Sequence, residues 1–347
     1  MASVIDDEQT ARKPEPANYR VTMKLARHIA VFAPITALLT LAPPLDCAAA
    51  EYPERQLAAI VPFAAGASND VIARRITPHL AKALGQQIII ENRPGADGRI
   101  GIEVVAKAAP DGYTILFSGG AVALIPALRK NVAWDPVRQI QPVAELGTIP
   151  YVIAVNPNVP AHSLSALIKL ATAHPGKLNG SAGGNSSEMA IALFRIKTGT
   201  RMEIIPYKGT GHAALAVATG EADFAIMDAS AWLPFIPAKR VRALAVMGTK
   251  RVAILPDVPT TQEAGLPDFT SGAQFGVYTT GGTPAAVVRR LNAEINRIVA
   301  TPDMTKSFLA IGLEPANKTV EDYTRLYLAD LAMWKDVVTR AKIPMTD

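Results

Sequence analysis

The chain has 347 residues, 49% of them hydrophobic and 19% charged, with a formal net charge of +5. That length and composition suit two globular domains with a sizeable core. The cationic excess is modest and scattered, so it can draw small anions, but no dense Lys/Arg stripe argues for nucleic acid, and one cysteine cannot build a disulfide framework.

Residues 1–22 are polar and Pro-containing, and read as a disordered or mis-assigned extension. From Met23 the order is Lys24 and Arg27, an apolar run from Ile29 to Leu45, then Ala48-Ala49-Ala50. This is the three-part pattern of a signal peptide over 23–50, with cleavage expected after Ala50. A membrane anchor fits less well, because the run contains Pro34, Pro43 and Pro44 and falls short of the roughly 20 apolar residues of a spanning helix. Lipidation at Cys47 is disfavoured by Asp46, which stands where a small neutral residue is wanted. Loss of 1–50 takes five basic and five acidic residues, so the charge stays at +5, and it removes Cys47 and with it any cysteine nucleophile.

Beyond Tyr52, short apolar runs alternate with amphipathic stretches, the pattern of an α/β fold with a largely parallel sheet. Strands are expected at 57–63, 87–91, 113–118, 151–155, about 178–181, 202–206, 223–227 and 241–247. Helices are expected at 69–84, 99–108, 164–173, 186–198, 211–219, 284–300 and 319–341. Two apolar stretches without helical periodicity, 143–155 and 269–278, read as crossings between two lobes, which makes the first lobe discontinuous.

The stretch IVPFAAGASNDVIARR (60–75) joins a buried strand to a helix through residues without bulk. A ligand can approach the main chain there, Asn69 or Ser68 can cap the helix, and the first-turn N–H groups with the helix dipole favour an anion. GSAGGNSSE (180–188) repeats this chemistry, with Gly183 and Gly184 exposing main chain and Ser186 or Ser187 as caps. Each turn alone is equally a plain connection; two in different lobes can close on one small anion. Asp228 ends an apolar strand, where it either faces a ligand at the sheet edge or caps the next helix.

Other chemistry is weakly represented. Gly209, Gly211 and Ala214, followed by Asp228, match a dinucleotide fingerprint, but Pro206-Tyr207-Lys208 separate the strand from the first glycine and Gly220 leaves a short helix. The hydrolase elbow G-x-S-x-G has only a near miss at Asn179–Gly183, and the five histidines show no metal spacing. No cofactor is expected. A hydrolase assembled from distant residues stays open as the enzyme alternative.

The motifs YPER, IVPFAAG, LGQQIIIENRPGADG, VAKAAPDGYTILF, PYKGTG, GEADF and LPDVPT, in this order between Tyr52 and Ile343, resemble those of the extracytoplasmic solute receptors of the tripartite tricarboxylate transporters, the Bug receptors. The resemblance implies an α/β fold of the type II periplasmic binding protein kind, two lobes joined by two crossover strands: lobe 1 from 51–150 plus 276–347, lobe 2 from 151–275. It implies a monomeric periplasmic receptor without catalysis that delivers a small organic acid to integral membrane permease subunits. The ligand-binding residues it implies are Phe63, Gly66, Ala67, Ser68 and Asp70 in the first turn, Ser181, Gly183, Asn185, Ser186 and Glu188 in the second, and Asp228. Two departures stand out. Ala67 and Ser68 replace part of a glycine run and can narrow the approach, and Glu188 stands where the family often has histidine. A carboxylate there repels an anion unless protonated or paired, so Glu188 is expected to select a ligand with an amide, amine or ring N–H beside its carboxyl. The competing reading is an exported α/β enzyme, hydrolytic or nucleotide-binding.

Overall fold

The apolar run LAAIV, almost wholly buried, sits inside the sheet and pairs on both edges. In the computed structural model, which describes residues 52–347, it is β1 (Leu57–Val61), parallel to β2 (Ile88–Asn92) on one side and β3 (Thr114–Gly119) on the other. The expected extension at 1–22 and signal segment at 23–50 lie outside the described residues. Between these strands run α1 (Ser68–Leu84) and α2 (Arg99–Ala106), and β3 leads into α3 (Ala121–Leu128).

The second half of the sheet is built from β4 (Ile140–Val155), α4 (Leu164–Ala173), β5 (Asn179–Ala182), α5 (Asn185–Thr198), β6 (Glu203–Pro206), α6 (Thr210–Thr219), β7 (Phe224–Asp228) and β8 (Arg242–Val246). The chain returns through β9 (Gly272–Thr280), then α7 (Ala285–Val299), α8 (Pro302–Leu309), β10 (Glu314–Pro315) and the long α9 (Val320–Ala341). The sheet order is β2-β1-β3-β9-β4-β7-β5-β6, with β8 and β10 also on β4. β4 belongs to both halves. Its first part, up to Pro150, pairs with β9, and its last part, from Tyr151, lies between β7 and β8.

The sheet is mixed rather than largely parallel. β1, β2 and β3 are parallel to one another, as are β5, β6 and β7, but β3–β9, β9–β4, β4–β7, β4–β8 and β4–β10 are antiparallel, because the two crossing strands β4 and β9 run against their neighbours. The same order weakens the dinucleotide reading. In that fold the strands flanking the glycine turn are neighbours, whereas β5 separates β6 from β7.

Helix faces follow the apolar spacing. In α7, Val288, Leu291, Ile295 and Ile298 recur at three- and four-residue steps and are all buried, each worth about 1.5–3 kcal/mol on burial. Asn292 Nδ2 ties this helix to β4 by donating to Val143 O at 2.8 Å. Helix α9 buries Tyr323, Tyr327 and Trp334, and packs both on α3 and on the Met189 and Ala192 face of α5, so it bridges the two halves. Among the described residues no helix is long and apolar enough to cross a membrane, and no group of three or more His, Cys, Asp and Glu is placed to hold a metal ion.

Candidate functional site

Three strand-to-helix turns, β1–α1, β3–α3 and β5–α5, open on one cavity of about 700 Å³, at the carboxyl ends of parallel strands from both halves. Phe63 and Asn69 of the first, Gly119 and Gly120 of the second and Ser186 of the third line it, together with Tyr151 of β4.

The β1–α1 turn is shaped by a side chain that folds back on it. Asp70 is buried, and its Oδ2 accepts from Gly66 N and from Arg74 Nε, both at 2.9 Å, while Oδ1 accepts from Asn92 Nδ2 at 3.0 Å. Asn92 Nδ2 also donates to Phe63 O at 3.0 Å, so one carboxylate and one amide hold both ends of the turn. The Arg74 guanidinium, helped by the Gly66 N–H and Asn92, holds the Asp70 carboxyl down at about 2. The helix is not capped by Ser68 or Asn69. Its N-cap is Ala67, which has no side-chain acceptor, so the first N–H groups of α1 stay free. Gly66 adopts φ +85°, a left-handed conformation that suits glycine.

In the β5–α5 turn the N-cap is Gly184, again without a side-chain acceptor. Ser187 is the serine that works on this turn, accepting from Gly183 N at 2.8 Å and donating to Gly184 O at 2.9 Å. Gly183 is required by packing, since a Cβ there would lie 2.5 Å from Thr210 Cα at the start of α6. Ser181 is fully buried and donates to Ala213 O at 2.8 Å, which locks α6 to the strand rather than facing the cavity. Asn185 Nδ2 donates to Asp97 Oδ2 at 3.3 Å, a link from this turn to the β2–α2 loop.

The remaining expected residues sit around the cavity rather than on its wall. Gly66 and Ser68 are exposed, Ala67 and Glu188 are half-buried, and none of the four is among the lining residues. Asp228, opposite Tyr151 in the β4–β7 register, caps the short 3₁₀ turn Ala229–Trp232: its Oδ1 accepts from Ala231 N at 3.2 Å and from the Ser230 hydroxyl. Tyr151 is buried beside it, and burial first, then the Asp228 charge, push its phenol above the ordinary range.

Sequence reasoning missed the middle turn. Its signal was present as strand 113–118 followed by Gly119-Gly120. Gly119 has no room for a side chain, because a Cβ there would lie 2.4 Å from Gln274 O of β9. It also missed a polar, largely charged wall made by β4, β9, β10, the chain leading into α9 and α9 itself: Glu145, Gln274, Glu314, Lys318 and Asp330.

Two half-sheets joined by crossing strands, with helix starts from each half facing a shared cavity, define a two-lobed α/β solute-binding receptor, as the sequence motifs implied. Sequence comparison makes the assignment specific. Residues 72–343 match the family described as "Tripartite tricarboxylate transporter family receptor", and the chain belongs to that family. Protein BugT of Bordetella pertussis is 35% identical over 330 residues, covering 92% of this chain and 100% of the relative. Among solved structures, Rpa4515 of R. palustris with adipate has a TM-score of 0.73 at 30% identity, covering 85% of this chain and 99% of that one. MatC of Rhodopseudomonas palustris with bound malate has a TM-score of 0.68 at 32% identity, covering 83% and 100%. The matched family is one of receptors, and the chain is read with it rather than as an exported hydrolase or nucleotide-binding enzyme.

Proposed function

We propose that the chain is exported to the periplasm and works there as a monomer. It holds a small carboxylate-bearing solute between a lobe of 51–150 plus 276–347 and a lobe of 151–275, and passes it to the integral membrane subunits of a tripartite tricarboxylate-type transporter. The observation that carries this reading is the pair of helix starts without side-chain caps, at Ala67 and at Gly184, one in each half of the sheet and beside the same cavity. Free first-turn N–H groups and the helix dipole favour an anion at each. Relatives solved with adipate and with malate support a carboxylate as that anion.

A thermal-shift screen of the purified protein against mono-, di- and tricarboxylates, aromatic carboxylates, amino acids, amides and NAD tests it. A carboxylate present at 100 times its Kd is expected to add roughly 2.7 kcal/mol of stability. A shift with NAD alone, or with none of the acids in protein shown by mass analysis to carry no retained solute, would contradict the proposal.

A further inference from the structure

The wall carries five ionisable groups that line the cavity: Glu145 of β4, Lys250 after β8, Glu314 of β10, Lys318 before α9 and Asp330 of α9. Both cations are already committed: Lys318 Nζ lies 2.6 Å from Glu145 Oε2, and Lys250 Nζ lies 2.7 Å from Glu314 Oε2. Asp330 has no ion-pair partner among the described residues, and Gln274 of β9 is its hydrogen-bond neighbour. The wall therefore holds one carboxylate more than it has cations.

Glu145, 2% exposed, and Glu314 each take their donor from one of these lysines, and Glu145 Oε1 also accepts from Thr148 Oγ1 at 3.2 Å, so the carboxylate of the wall left without a cation is Asp330. Burial, and then the Glu145 charge, raise the Asp330 carboxyl to about 6, which leaves it ionised at neutral pH and above. A second carboxylate on the solute would meet this charge at close range, whereas an ammonium or amide N–H would supply what the wall lacks.

Resting on the receptor reading above, we propose that this wall selects, among carboxylate solutes, those that carry an N–H donor group, cationic or amide, away from the carboxyl, with Asp330 as the specificity-determining residue. The selection that the sequence assigned to Glu188 is carried here by a different element, since Glu188 is not on the cavity wall.

Isothermal titration at pH 8 with length-matched pairs tests this: 4-aminobutanoate against succinate, 5-aminopentanoate against glutarate, and 6-aminohexanoate against adipate. In the best-fitting pair the amino acid is expected to bind about tenfold more tightly than the diacid, and Asp330→Asn to erase most of that ratio. A ratio between two probes does not move with a merely weakened fold, and the melting temperature of the variant checks folding separately. Preference for the diacid in every pair that binds, or a ratio unchanged by Asp330→Asn, overturns the proposal while leaving the receptor reading intact. Binding of no carboxylate, here or in the wider screen, overturns both.

Discussion

Asp70→Ala should lower the melting temperature by roughly 5 °C and weaken solute binding at least tenfold, although Asp70 does not line the cavity. The carboxylate accepts three hydrogen bonds, from Gly66, Arg74 and Asn92, in a buried position. Hydrogen bonds to a charged group are worth about 1.5–3 kcal/mol each and do not add fully, so a loss of about 3 kcal/mol is expected. With about 2.1 cal/mol/K of unfolding entropy per residue, a folded chain of roughly 300 residues shifts by about 1.6 °C per kcal/mol. Asp70→Asn keeps the shape and one acceptor oxygen, and should cost about half as much.

The pH dependence fixes the sign. The Asp70 carboxyl is depressed to about 2 in the folded protein, so its stabilisation is fully present above the ordinary value near 4 and is lost as pH falls from there through 2. Melting curves of the protein and of Asp70→Ala should therefore be farthest apart above pH 5 and converge toward pH 2. A gap that stays constant over that range would mean that the carboxylate charge contributes nothing to the turn.

Gly183→Ala is the second large effect. Its added Cβ would lie 2.5 Å from Thr210 Cα, 2.6 Å from Thr210 N and 2.7 Å from Gly209 C, all main-chain atoms that cannot rotate away. The start of α6 must move from the start of α5, at a cost of about 2–3 kcal/mol for overpacking, and Ser187 loses its geometry on Gly183 N. Solute binding should fall with it. Gly66→Ala is the control: its Cβ meets nothing within 4 Å, and only the φ of +85° is unfavourable, a cost of about 1 kcal/mol. Denaturant titration of both variants compares them. Equal losses would show that the α5–α6 contact is not tight.

The sequence showed most of the elements and fewer of the contacts. Helix α4 is found at 164–173 as its periodicity required, and the strands around β1 fall within a residue or two of expectation. The first part of β4 was legible only as an aperiodic crossing, because a strand buried on both faces has no alternation to read. Helix α3, AVALIPAL, is apolar all round and contains Pro126, so nothing in its pattern separates helix from strand. Helix α8 has only eight residues, too few for a clear face.

At the site, small residues after a strand marked the turns, but not the direction in which each side chain points. Ser181 and Ser186 are alike in sequence, yet one is sealed against α6 and the other lines the cavity. The Glu145, Gln274 and Asp330 wall was illegible for a different reason: its members come from β4, β9 and α9, and only the crossing strands bring them together.

The most direct test of the account is a crystal structure of the protein with the carboxylate that gives the largest thermal shift. The carboxyl group is expected within hydrogen-bond distance of main-chain N–H groups at the start of α1 and at the start of α5, one from each half of the sheet. A solute bound outside this cavity, or one whose carboxyl is held by a single half, would contradict it.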